Sequence, residues 1–170
     1  MAQSHQNRIH ASVSAFQKAN DALIGALEQL NDEVATRMPQ GGGWTAARIG
    51  CHVAITNDFL AGALTGAVPL AIPAPAGFAE NPDVFKNVPS KIDTFPQLEP
   101  PQTATRADAI AMLRKSAGNA VKAIESLDPE RATQYCVQFP MGQLSMYQLA
   151  DFFGGHVMRH QQQLQRAAAG

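Results

Sequence analysis

In Asp151-Phe-Phe-Gly-Gly-His156-Val-Met-Arg-His160-Gln-Gln-Gln-Leu164, two histidines stand four residues apart within an amphipathic helical pattern. Four residues make about one helical turn, so both imidazoles leave one face, with backbones roughly 6 Å apart. Met146, Leu149, Phe152, Phe153 and Leu164 make the rest of that face apolar. Two basic rings in the middle of a core-facing stripe need a partner. The helix itself is well signalled. Ser145 and Gln148 form an S-x-x-Q capping box, Leu144 and Leu149 suit a hydrophobic staple, and Arg166 suits the negative end of the dipole. Gly154-Gly155 inside it costs roughly 1–2 kcal/mol relative to alanines. Close helix packing and room beside His156 are both open as reasons.

Three further helices are expected upstream. Residues 4–31 carry Ile9, Val13, Phe16, Leu23, Leu27 and Leu30 at three- and four-residue steps, with Ala19 or Asn20 completing the stripe and Ser4 as a cap. His5, His10 and Arg8 read as surface residues. A connection at 32–43, with room for a short turn at 32–37, ends in Pro39 and three glycines. The second helix opens at Trp44-Thr45, with Thr45 as N-cap, and runs to Gly66. His52 lies three after Ile49, three before Ile55 and seven before Phe59, which puts it on the buried face. The third helix spans 105–126, with Thr105 as cap and Asp108 in the first turn.

Between the second and third helices, residues 66–103 hold eight of the chain's eleven prolines. That density excludes a long helix or a central strand. Leu70, Ile72, Phe78, Val84, Phe85, Val88, Ile92, Phe95 and Leu98 make the segment too apolar for a free linker. An ordered crossover is expected, with a short helix at 81–88, forming a wall or lid over a site. Residues 127–144 connect to the fourth helix and have room for a short extended piece around Gln134–Gly142. Four long helices without a convincing strand pair give an all-α fold, a four-helix bundle with a long Pro-rich crossover, in one domain over residues 1–170.

A formal net charge of −1 carries no electrostatic footprint for nucleic acid or an anionic membrane surface. No apolar run is long enough to span a bilayer, and the polar N-terminus lacks the apolar core of a signal peptide. The expectation is a cytoplasmic protein with no nucleic-acid or membrane partner. Two cysteines, Cys51 and Cys136, are too few for a disulfide framework and read as reduced, unreactive thiols.

His52, His156 and His160 are then three inward histidines on two helices, with no inward acid to pair each of them. Antiparallel packing of the second and fourth helices, at about 1.5 Å per residue, brings them near one level. One divalent metal ion would satisfy all three, each through one nitrogen of a neutral ring. Zinc, nickel, iron and manganese all accept imidazole. Three protein ligands leave coordination positions for water or substrate, the arrangement of a catalytic site. Cys51 adjoins His52 but points about 100° away and is not expected to share the ion. Arg159 and Gln163 flank the pair and read chiefly as solvent-facing, with a substrate contact as the alternative.

Trp44-Thr45-x6-His52, with Gly142-Gln-Leu-Ser145 before Gly155-His156-x3-His160-x2-Gln163, resembles the DinB/YfiT-like superfamily of metalloenzymes. The resemblance covers nearly the whole chain. It implies one divalent metal held by His52, His156 and His160, thiol-dependent transferases and isomerases using low-molecular-weight thiols among the members, and frequent homodimers. The leading expectation is a metal-dependent transferase or hydrolase acting on a small molecule, with a low-molecular-weight thiol as a possible cosubstrate. The alternative is a non-catalytic, stress-related bundle in which the metal, or a histidine hydrogen-bond network, is structural and function lies in protein association.

Overall fold

The computed structural model describes residues 4–89 and 92–170; Met1–Gln3 of the polar N-terminus and Ser90 and Lys91 of the Pro-rich segment lie outside the described residues. The chain is mostly helical. Four long helices carry it: α1 (His5–Glu28), α3 (Ala46–Thr65), α4 (Arg106–Glu125) and α6 (Met146–Ala169). Two short ones, α2 (Asp32–Thr36) and α5 (Pro129–Gln134), sit in the connections. α3 packs along α4 and α1 along α6, while α3 also meets α6 and α1 meets α4. The second and fourth helices expected from the pattern are α3 and α6.

The ends of these helices are set by local chemistry. The Ser4, Thr45 and Ser145 side chains each accept the backbone N–H three residues on. Ser145/Gln148 and Thr105/Asp108 are complete, reciprocal capping boxes. Such caps satisfy donors that the helix cannot, and each is worth about 1 kcal/mol. α3 ends on Gly66 at φ 88°, a left-handed conformation that glycine adopts without a Cβ clash.

The mostly helical fold agrees with the all-α expectation, and a small sheet, for which no strand pair stood out in the sequence, accompanies the helices. β1 (Ala71–Pro73), β2 (Tyr135–Phe139) and β3 (Gly142–Ser145) form an antiparallel sheet in the order β1-β2-β3. Ala71 pairs with Val137 and Pro73 with Tyr135, while Cys136 pairs with Ser145 and Phe139 with Gly142. Strands this short show too little two-residue alternation to stand out in sequence. Pro73 is tolerated because β1 is an edge strand. The extended piece expected near Gln134–Gly142 is the β2–β3 hairpin. The short helix expected at 81–88 is a single 3-10 turn at Val84–Asn87. A second 3-10 turn covers Pro96–Leu98.

The core runs between the long helices. Phe16 of α1 and Phe153 of α6 are fully buried and meet edge to face, with ring centroids 5.6 Å apart. Beside them the two glycines of α6 separate cleanly. A Cβ on Gly154 would come within 3.3–3.4 Å of the α1 backbone at Ala15 and Phe16. A Cβ on Gly155 would meet nothing within 4 Å, and Gly155 is exposed. Gly154 therefore serves close packing of α1 on α6, whereas Gly155 costs helix propensity with no packing return at its Cβ position. Among the described residues no helix is long and apolar enough to cross a membrane.

Gly155→Ala should stabilise the protein by about 0.5–1 kcal/mol, raising Tm by roughly 1–4 °C. Gly154→Ala should lower Tm despite the same propensity gain, because α1 backbone atoms must move. Thermal melts of the two variants check the pair, and a fall in Tm for Gly155→Ala would contradict this assignment.

Candidate metal centre

α3 and α6 bring the three histidines together. The ring centroids of His156 and His160 lie 4.4 Å apart, those of His52 and His160 4.7 Å, and those of His52 and His156 5.5 Å. One nitrogen from each ring falls within 4.8 Å of the others, a separation that one bridging ion can span. Among the described residues no cysteine or carboxylate joins the group. The sequence expectation for His52, His156 and His160 as one constellation is therefore met in space.

The outward nitrogens are set differently at each ring. His52 is buried and donates from Nδ1 to the carbonyl oxygen of Leu98 at 2.8 Å. His160, half-buried, donates from Nδ1 to Oε1 of Gln163 at 2.8 Å. Both bonds place the proton on Nδ1 and leave the Nε2 lone pair free. His156 is partly exposed as a residue, but its Nδ1 is out of solvent and has no hydrogen-bond partner among the described residues. An unpartnered buried ring nitrogen costs roughly 1–3 kcal/mol unless something else satisfies its ring.

All three rings are held neutral. Burial pushes the His156 pKa well below 6.5, and charge on His160, His52 or Arg159 would push it further. Burial lowers His160 to about 4, with repulsion from His52 adding and the Gln163 bond opposing. Burial also lowers His52, against the opposing Leu98 bond. Neutral imidazoles are the form that ligates a metal. The donor set thus fits a divalent ion: three deprotonated nitrogens, two of them oriented from behind, and a third ring whose buried nitrogen the protein leaves unsatisfied.

Aromatic side chains flank the group. Trp44 lies against the His52 ring at 4.7 Å. Phe152 sits 5.7 Å from His156 and in turn meets Phe139 at 5.3 Å and Phe85 at 6.3 Å. Phe85, Phe139 and Phe152 come from three separate stretches of chain and are only partly covered.

The Pro-rich segment is fastened beside the site by its carbonyls. Arg48, buried one turn before His52, donates to the carbonyl oxygens of Pro100 and Pro101 at 3.3 and 3.1 Å. Arg159 donates to Pro89 O at 2.9 Å. Gln148 donates to Asn81 O at 2.7 Å, and the Ser145 hydroxyl to Glu80 at 2.5 Å. Arg8 closes on both Glu80 oxygens at 2.9 and 3.0 Å.

Several residues differ from their expected roles. Arg159 and Gln163 are half-buried and hydrogen-bonded instead of facing solvent. His10 is exposed as expected, but His5 is half-buried, with Nδ1 2.7 Å from the Tyr147 hydroxyl. Arg8 spans α1 and the Pro-rich segment and covers the Tyr147 ring at 4.0 Å. Arg8 and Arg159 reach across the chain, so helical position alone misjudges them, whereas Gln163 bonds a ring one turn away on its own helix. Arg48 has no sequence signal, because its acceptors are backbone carbonyls that any residue supplies. Cys51 is buried, and burial, then the Asp108 charge, push its pKa up to about 11. Cys136 is also buried, which raises its pKa.

A family model described as the DinB superfamily matches residues 15–164, a range that contains all three histidines. No curated protein and no solved structure matches the chain.

The pKa shifts set a pH dependence for the metal-free protein. The native rings titrate below 6.5, so the unfolded state binds more protons as pH falls past that value. Stability should therefore drop between about pH 6.5 and pH 4. Urea midpoints across this range should fall in the metal-free protein and fall less in His156→Gln. Equal slopes in the two proteins would contradict the assignment.

Proposed function

The chain belongs to the DinB superfamily, and from that premise we propose that it is a metal-dependent enzyme acting on a small molecule, as a thiol-dependent transferase or a hydrolase. In this reading the four long helices form a four-helix bundle, the Pro-rich crossover walls the site, and His52, His156 and His160 hold one zinc, nickel, iron or manganese ion. The observation that carries it is the convergence of three neutral imidazoles with no cysteine or carboxylate beside them among the described residues. Structural zinc sites usually fill all four positions with protein ligands, whereas three histidines leave a position for substrate.

When bound, the ion supplies Lewis acidity, favouring the deprotonated form of a water or thiol and polarising a carbonyl. The chain's own residues do the rest. His52 and His160 present Nε2 because Leu98 O and Gln163 Oε1 hold the Nδ1 protons. Trp44 and Phe152, against two of the rings, limit water on those sides and suit an apolar part of a substrate. Cys51 and Cys136 are buried thiols with raised pKa values, which makes them poor nucleophiles. The nucleophile is thus supplied from outside, as a low-molecular-weight thiol or water.

Purified protein should hold about one divalent metal per chain by elemental analysis, with stoichiometry lost in His52→Ala and His160→Ala. Protein loaded in turn with zinc, nickel, iron and manganese should consume a low-molecular-weight thiol with an electrophile, or hydrolyse an activated ester, in at least one form. Wild-type metal content in both variants would overturn the site. Metal loading without either activity would favour a structural role.

A further inference from the structure

The geometry points to Gln163 as a positioning residue for the proposed centre: its amide oxygen fixes the proton of His160 on Nδ1, so that Nε2 faces the ion. The inference rests on the reading of the three histidines as one metal site and adds a residue that does not itself ligate.

Three observations carry it. His160 Nδ1 and Gln163 Oε1 are 2.8 Å apart, within hydrogen-bond range for an N–H donor. Gln163 lies three residues beyond His160 on α6, a spacing that puts both on one face, so the contact is built into one rigid element. The three rings are also held unequally. His52 takes its orienting acceptor, Leu98 O, from the Pro-rich segment 46 residues away. Among the described residues His156 Nδ1 has no partner. Among the described residues Gln163 is therefore the one side chain that sets the tautomer of any ring in the group. A neutral imidazole without such an acceptor divides its proton between two nitrogens, and the wrong tautomer offers the ion an N–H instead of a lone pair. Outer partners of this kind typically change metal affinity by 10–100-fold.

The choice of an amide has a consequence. A carboxylate at this position would accept the same bond but would favour a charged imidazolium in the metal-free protein. The amide orients the ring while leaving it neutral and ready to bind.

The test joins imidazole nitrogen NMR on metal-free protein with zinc titration against a competing chelator. In wild type, His160 should be the Nδ1–H tautomer. In Gln163→Ala it should become a mixture, while His52, held by Leu98 O, stays as it was. Zinc affinity should fall by about 10–100-fold in Gln163→Ala. Gln163→Glu should restore both the Nδ1–H tautomer and most of the zinc affinity lost in Gln163→Ala, a rescue that a merely structural role would not give. An Nε2–H tautomer at His160 in wild type would overturn the proposal, as would unchanged tautomer and affinity in Gln163→Ala. Wild type that binds no zinc, or His160→Ala that binds it as wild type does, would instead overturn the site reading.

Discussion

The candidate centre depends on α3 and α6 holding three imidazoles close together and largely desolvated. Desolvation is the largest cause of the lowered pKa at each ring. It works against charge and leaves lone pairs to be used. Two rings gain outer hydrogen bonds, and the His156 ring keeps a buried nitrogen without one among the described residues. The fold tolerates this arrangement where His52 on α3 faces His156 and His160 on α6, beside Trp44 and Phe152. Rigid helices suit such a centre, since ligand positions must hold to within about half an ångström.

The Pro-rich segment is part of the same constraint. It lacks the internal hydrogen bonds of a long helix, so its carbonyls are free to accept from elsewhere. Leu98 O accepts from His52, Pro100 O and Pro101 O from Arg48, and Pro89 O from Arg159. Arg48 and Arg159 sit on the two helices that carry the histidines. The segment is thus tied to both sides of the candidate centre. Edge pairing of β1 with β2 anchors its beginning, and the Glu80 contacts with Arg8 and Ser145 anchor its middle.

Much of this was legible in the residues. The 3.6-residue period located the long helices, and the S-x-x-Q pattern identified the box that starts α6. His52, His156 and His160 stood out because basic rings interrupt otherwise apolar faces. The family match over residues 15–164 agrees with the resemblance read from the histidine motifs. What escaped was what crosses between elements. Three- to five-residue strands carry little periodicity, and a proline density that excludes a central strand gives no sign of the short edge strand that holds Pro73. The Gln163 contact lies within α6 at i, i+3 spacing, while Arg159 escapes because helical position says nothing of where a long side chain ends. Arg48 was silent for the same reason, as were its proline carbonyl acceptors. The two glycines of α6 could be separated only with α1 in place, which lies against Gly154 and not against Gly155.

The central claim is that three imidazoles and no other side chain hold one ion. X-ray absorption at the metal edge of the loaded protein counts those ligands directly. The account predicts three imidazole shells with the remaining positions filled by exchangeable oxygen or nitrogen ligands, and no sulfur shell in the absence of added thiol. Two or fewer imidazoles, or a sulfur shell from Cys51 under those conditions, would contradict it.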